Sequence, residues 1–291
     1  MRILVTGAKG QLGFDVVNET KRRGHIVRGV DVEEMDVTDR EAVRRVIGGF
    51  SPDAVIHCAA WTAVDAAEEQ KNAGLVEDIN TNGTAYIAEA CKAVGAKIMY
   101  ISTDYVFDGT GEAPWQPDCK AYRPLSVYGK TKLGGELAVK NTLDNFFIVR
   151  IAWVFGAHGN NFVKTMLKLG ETHSSLRVVN DQIGTPTYTF DLARLLADMI
   201  ETEKYGYYHA TNEGGYISWA DFAREIFLQA KKNVTVVPVT TAEYGLSKAL
   251  RPLNSRLDKN KLIENGFLPL PDWKDALKRY LKQTERENGA D

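Results

Sequence analysis

Tyr128-Gly129-Lys130-Thr131-Lys132 places a phenol and an ammonium four residues apart. On a helix, positions i and i+4 share a face, so the two groups point the same way. A free tyrosine has a pKa near ~10 and is a poor acid or base at neutral pH. A cation beside it stabilises the phenolate and lowers that pKa. Lys132 can supply that charge and can also bond a cofactor ribose. Tyrosine and lysine also share exposed helix faces by chance, so the pair needs partners from elsewhere in the chain.

A partner lies upstream, where the apolar run 98–101 ends in Ser102-Thr103-Asp104. A hydroxyl at the end of a strand can hydrogen-bond a substrate carbonyl oxygen. Ser102 and Thr103 face opposite sides if the strand persists, so only one points at the substrate. Either can instead be a capping hydroxyl.

At the N-terminus, Gly7, Gly10 and Gly13 are spaced GxxGxxG between a strand-like run and a helix-like one. Gly7 permits a tight turn, Gly10 lets backbone approach a pyrophosphate, and Gly13 lets the helix pack closely on the sheet. The helix N-terminus, with Gln11 and Leu12, offers unpaired N–H groups to phosphates. The bland alternative is a glycine-rich turn. Position and context favour a dinucleotide. Asp31, about twenty residues on, can accept hydrogen bonds from adenosine ribose hydroxyls and repels a 2′-phosphate. NADH is therefore favoured, while Lys9 and Arg28 nearby leave NADPH open. Asp36 and Val37 can flank the adenine. Ala59, Ala60, Trp61 and Thr62, after the run 54–57, let a cofactor lie against the chain.

These groups need elements to hold them. Residues 3–5, 26–30, 54–57, 98–102 and 147–151 read as buried strands. Residues 13–23, 41–50, 80–94 and 128–140 carry helical periodicity. The alternation predicts an α/β fold, a Rossmann-type doubly wound parallel sheet with a smaller C-terminal substrate-binding lobe. Its ligand edge is the one where all strands end. We place the dinucleotide-binding domain at 1–152 and the substrate lobe mainly at 153–291, with some segments returning to the sheet. In the second half, 191–200, 218–231 and 273–283 read as helices, with Ser218 as N-cap and Asp221 in the first turn. Residues 177–179 and 234–238 read as short strands.

Composition excludes several classes. The 291 residues carry a net charge of -2, which gives no general attraction to nucleic acid or anionic membranes. No apolar run reaches the ~20 residues of a bilayer helix. The first residues run straight into a strand with no signal-peptide layout, so a cytoplasmic protein is expected. Three scattered cysteines without CxxC spacing favour neither disulfides nor zinc, and no histidine pair has metal-ligand spacing.

The whole pattern resembles the extended short-chain dehydrogenases, through TGxxGxxG, Ser-Thr-Asp-Tyr-Val-Phe and YGKTK. Within them, segments 60–65, 102–109, 128–132, 180–187 and 251–257 are similar to the dTDP-4-dehydrorhamnose reductases. The resemblance covers nearly the whole chain. It implies reduction of a nucleotide-linked 4-ketosugar by NAD(P)H. It implies Thr103 in the catalytic hydroxyl place, Tyr128 as proton donor, and Lys132 orienting the ribose and lowering the tyrosine pKa. It also implies Trp153 against the sugar, Asp104 beside the substrate, Asn160, Asn161 and Phe162 in a loop of the sugar-nucleotide site, and Arg256 reaching the nucleotide phosphates. A homodimer is implied without a located interface, and magnesium without nameable ligands. Trp61 stands where the family often has histidine. Glycines 129, 134 and 135 weaken the catalytic helix by roughly 1 kcal/mol each relative to alanine, and close approach of a neighbour or cofactor would explain them.

Two rivals remain at this stage. One is a nucleotide-sugar epimerase or dehydratase of the same fold, since Asp104 follows Thr103. The other is a non-catalytic regulatory subunit resembling the beta subunit of methionine adenosyltransferase. Such a subunit has no need of the tyrosine, lysine and threonine together.

Overall fold

The computed structural model describes residues 1–288. Strands alternating with helices build its first half, beginning with β1 (Arg2–Thr6), α1 (Gln11–Arg22), β2 (Ile26–Val30), α2 (Arg40–Phe50) and β3 (Ala54–His57). After β3 come two short helices, α3 (Val64–Ala67) and α4 (Ala73–Glu77), then a π-helical turn Asp78–Asn82 that runs into α5 (Gly83–Val94). β4 (Lys97–Thr103), α6 (Val127–Thr142) and β5 (Phe146–Ile151) complete the series. A sixth strand, Gly206–His209, joins from the second half beside β5. The sheet order is Gly206–His209, β5, β4, β3, β1, β2, with every pairing parallel.

The apolar runs explain the layering. β3 and β5 are buried along their whole length, as strands covered on both faces must be. Ile3 and Val5 of β1 point to one face, where α1 and α8 (Thr189–Ile200) pack. Leu4 points to the other, under α2, α5 and α6. β2 is the edge strand, and its mixed sequence IVRGV is half exposed.

The chain adds β2 on one side of β1, then crosses back to add β3 on the other. The crossover leaves a crevice at the carboxyl ends of β1 and β3, where ligands bind in such sheets.

Much of the second half surrounds its own core of Phe155, Tyr188, Phe222, Trp273 and Tyr280. It contains α7 (Phe162–Leu169), α9 (Trp219–Gln229), the parallel strands Ser175–Val179 and Thr235–Val239, and the C-terminal helix Trp273–Asn288. At α9, Ser218 is the N-cap and Asp221 lies in the first turn as expected, and the two form a reciprocal capping box. Two expectations need adjusting. The helix read at 80–94 begins regular α geometry only at Gly83, after a π-helical turn in which the Asn80 side chain bonds the backbone of Trp61. The loop read around 160–162 is the start of α7, capped by Asn161.

Candidate active site

A cleft of about 850 Å³ opens at the carboxyl ends of β1, β3, β4 and β5. Its floor at one end is the glycine turn. Gly7 has φ +63°, and a Cβ there would meet the backbone of Ala59 at 2.8 Å. A Cβ on Gly13 would lie 2.1 Å from the Gly7 carbonyl oxygen. These two positions therefore require glycine to bring β1, β3 and α1 together. Gly10 is the N-cap of α1 and has no side chain to cap it, so the helix N-terminus is left for an anion. Gly10, Gln11 and Leu12 line this end of the cleft.

Asp31 sits at the end of β2 on the cleft wall, beside Asp36 and Val37. Its Oδ2 accepts the Lys9 backbone N–H at 2.9 Å and its Oδ1 accepts from Val32 at 3.0 Å. The Lys9 ammonium turns away to Glu33 at 2.7 Å. Arg28 lies over the Phe50 ring, 6.0 Å from its centroid. Ala59, Ala60 and Thr62 line the next stretch.

The chemistry gathers at the centre. Ser126 caps α6 by accepting from Gly129 N–H, which sets the helix start just before Tyr128. Thr103 ends β4, and its hydroxyl faces the Tyr128 phenol closely enough to favour the phenolate. Ser102 turns the other way and donates to Glu136 Oε1 at 2.6 Å. The strand alternation thus separates the two hydroxyls, and Thr103 is the one that meets the tyrosine.

One expectation is corrected here. The Tyr128 phenol is pushed above its ordinary range, chiefly by burial, with Asp104 and Tyr105 adding to the rise. The lowering expected from Lys132 does not prevail. The Lys132 ammonium is directed to the Ile101 carbonyl at 2.7 Å and lies 4.0 Å above the Tyr100 ring. Burial pulls Lys132 itself down to about 7, while Glu136 and Cys58 oppose that fall. A protonated phenol at neutral pH suits a proton donor.

Asp104 follows on the same wall, 2 % exposed. Burial pushes its carboxyl up to about 6, and the Ser255 and Thr103 hydroxyls pull back part of the way. Among the described residues its Oδ2 has no hydrogen-bond partner. The far wall is aromatic. Trp153 holds φ +50°, a left-handed conformation that costs energy for a bulky residue. Its indole stacks on Trp219 at 3.8 Å and packs against Gly184, where a Cβ would come within 2.9 Å.

Three anticipated residues fall elsewhere. Trp61 points its indole N–H to the Ala63 carbonyl and is not part of the cleft wall, so its neighbours carry that stretch. Asn161 is committed to capping α7 and to bonds with Gln11 and the Gly156 carbonyl. Asn160, named with it in that loop, does reach the cleft. Arg256 donates to Asn254 Oδ1 at 3.0 Å and does not line the cleft. Residues that sequence reasoning passed over include Trp219, Cys58, Met35 and Ile79. Trp219 directly follows the Ser218 cap, but nothing in its spacing links it to Trp153. Burial holds the Cys58 thiol up at about 12, which makes it a poor nucleophile.

No cluster of three or more His, Cys, Asp or Glu side chains among the described residues is arranged to hold a metal. The magnesium implied by resemblance therefore finds no matching donor set, and no step is assigned to it.

Comparison with known proteins agrees with this geometry. Residues 1–286 match the family model described as RmlD substrate binding domain. The chain is 40% identical over 290 residues to the spore coat polysaccharide biosynthesis protein SpsK of Bacillus subtilis, covering 100% of this chain and 99% of that one. It is 42% identical to a dTDP-4-dehydrorhamnose reductase of Streptomyces griseus, covering 95% and 91%. A crystal structure of dTDP-4-dehydrorhamnose reductase from Bacillus anthracis in complex with NADP superposes with a TM-score of 0.92 at 41% identity, covering 97% and 99%.

Proposed function

The chain belongs to the family described as RmlD substrate binding domain, and from that premise we propose that it reduces the 4-keto group of dTDP-4-dehydro-L-rhamnose to give dTDP-L-rhamnose. The observation that carries the reading is the meeting of Thr103, Tyr128 and Lys132 in the cleft that the glycine turn opens. A nicotinamide dinucleotide, when bound, supplies the hydride for C4. The glycine cradle and the uncapped start of α1 fit its pyrophosphate. Asp31 holds the adenosine ribose hydroxyls, with Asp36 and Val37 beside the adenine. Thr103 donates to the ketone oxygen as charge builds on it. Tyr128, kept protonated by burial, gives its proton to that oxygen. The Lys132 ammonium then favours the phenolate left behind and orients the nicotinamide ribose. Asp104 and the Trp153 indole bound the sugar.

NADH is the favoured donor. Asp31 presents negative charge where a 2′-phosphate would sit, and Glu33 occupies the Lys9 cation that would otherwise offset it. The homodimer and the cytoplasmic setting stand as companion proposals of the family resemblance.

The test is loss of reduced-nicotinamide absorbance with dTDP-4-dehydro-L-rhamnose, run with NADH and NADPH. Tyr128→Phe is expected to cut kcat by roughly 10²- to 10⁴-fold while leaving NADH binding nearly intact. Full turnover in that variant ends the acid role. An equal kcat/KM for both dinucleotides ends the cofactor preference.

A further inference from the structure

Glu136 and Arg150 form an ion pair with both side chains fully buried. Arg150 Nη2 meets Glu136 Oε2 at 2.7 Å and Nε meets Oε1 at 2.8 Å. Burying such a pair takes two charges out of water, and well-packed apolar side chains would often serve stability as well. Its placement suggests another use. Glu136 lies on α6 one turn beyond Lys132. Its Oε1 also accepts the Ser102 hydroxyl at 2.6 Å, from the residue next to Thr103. Arg150, on β5, donates onward to the Pro117 carbonyl at 3.0 Å and the Tyr122 hydroxyl at 3.1 Å. One carboxylate thus joins the helix of Tyr128 and Lys132, the strand end of Thr103, and the segment between β4 and α6.

We infer that Glu136 is a positioning residue for the reduction: clamped by Arg150 and Ser102, it fixes α6 against β4 and sets a negative charge one helical turn from Lys132. This rests on the reading of Lys132 given above. The groups facing Lys132 are Glu136 on its own helix, His57 and Cys58 at the end of β3, and Tyr100 on β4. Ser102, Arg150, Tyr100 and Tyr207 face Glu136. Of the groups around Lys132, Glu136 gives the largest support to the charged form against burial. Removing a negative charge lowers the pKa of a neighbouring ammonium and of a neighbouring phenol alike. Removing Arg150 as well takes away the opposing positive charge, so a variant neutral at both positions reports the net field of the pair.

Glu136→Gln alone leaves Arg150 buried without its partner and invites misfolding. The informative protein is the double variant Glu136→Gln/Arg150→Met, neutral at both positions. It is expected to melt cooperatively, to bind NADH within about twofold of the parent, and to lose activity at high pH earlier. The alkaline limb of kcat/KM moves down by a measurable fraction of a pH unit, less than loss of Glu136 alone would give, because Arg150 leaves with it. A folded double variant with the parental limb overturns the role of that charge. Ser102→Ala keeps both charges and decides the clamp even if the double variant fails to fold. It is expected to lower kcat about tenfold with an unmoved limb and unchanged NADH binding, and an unchanged kcat overturns the inference. Lys132→Met, assayed in parallel, separates the two readings. Parental turnover in Lys132→Met removes the reading of the site itself, whereas an inactive Lys132→Met beside an unshifted double variant removes only the role of Glu136.

Discussion

Asp104 is a carboxyl enclosed on the cleft wall, with one oxygen accepting from Thr103 at 3.0 Å and the other without a partner. Burial raises it from 3.8 to about 6. A carboxyl whose pKa is higher folded than unfolded binds a proton more tightly in the folded state. Its cost to stability is absent below about pH 4, grows as pH rises through 6, and is complete above. Two pKa units correspond to an effect on the order of 3 kcal/mol. Asp104→Asn removes that penalty while keeping an acceptor for Thr103. We expect it to match the parent in thermal melts at pH 4 and to exceed it clearly at pH 8, with reduced turnover. A gap independent of pH refutes the assignment. Stability withheld at a site in this way is what function-bearing positions show. At this scale alternation showed that Ser102 and Thr103 face opposite sides, while the choice of Thr103 came from the family resemblance. The sequence was silent where a side chain chose a local partner, as Arg256 does with Asn254 and Asn161 does with the start of α7.

α6 shows why an element can contradict propensity. Its glycines at 129, 134 and 135 each cost helix stability, yet none has room for a methyl group. A Cβ on Gly129 would meet the Tyr105 carbonyl at 2.3 Å, one on Gly134 the Thr81 side chain at 2.5 Å, and one on Gly135 the Tyr100 hydroxyl at 2.3 Å. Close packing of α6 on β4, on Tyr105 just after it and on the π-helical turn explains them. Gly48 near the end of α2 has nothing within 4 Å. Gly135→Ala is therefore expected to lower Tm by several degrees, and Gly48→Ala to raise stability by up to about 1 kcal/mol. Paired thermal melts check both signs, and a stabilised Gly135→Ala contradicts the packing. The alternating strands and helices of the first half were legible because each is locally periodic and buried on the expected side. The strand Gly206–His209 was not. It has four residues, half of them only partly buried, and its pairing partner β5 lies more than fifty residues away in the chain. Such a strand is defined by its neighbour rather than by its own pattern. The small pairs in the second half, two residues per strand in several cases, escaped for the same reason.

At the scale of the whole molecule, the glycine-turn helix is held by the second half of the chain. Thr189 at the start of α8 donates to Asp15 of α1, and Asn161 donates to Gln11 at 2.9 Å. α8 itself packs along α1 in the sheet-face core. Its Asp191 is buried and receives two bonds from Arg279 of the C-terminal helix, both 2.7 Å, with Asn212 donating at 2.9 Å. The C-terminal helix is thus tied through Asp191 to the layer that supports the dinucleotide end of the cleft. Arg279→Ala leaves a buried carboxylate with one neutral donor, a loss of ~3 kcal/mol where a buried pair is broken from one side. The expected outcome is a fall in Tm of several degrees. The glycine turn and Asp31 make no contact with Arg279, so dinucleotide affinity should change little. Saturating NADH should then raise Tm by nearly the same increment in variant and parent, since ligand stabilisation follows the ratio of concentration to Kd. Thermal melts with and without NADH test this directly. A variant whose Tm no longer responds to NADH would mean that the C-terminal helix shapes the cofactor end of the cleft, and that the two halves of the chain act there as one unit.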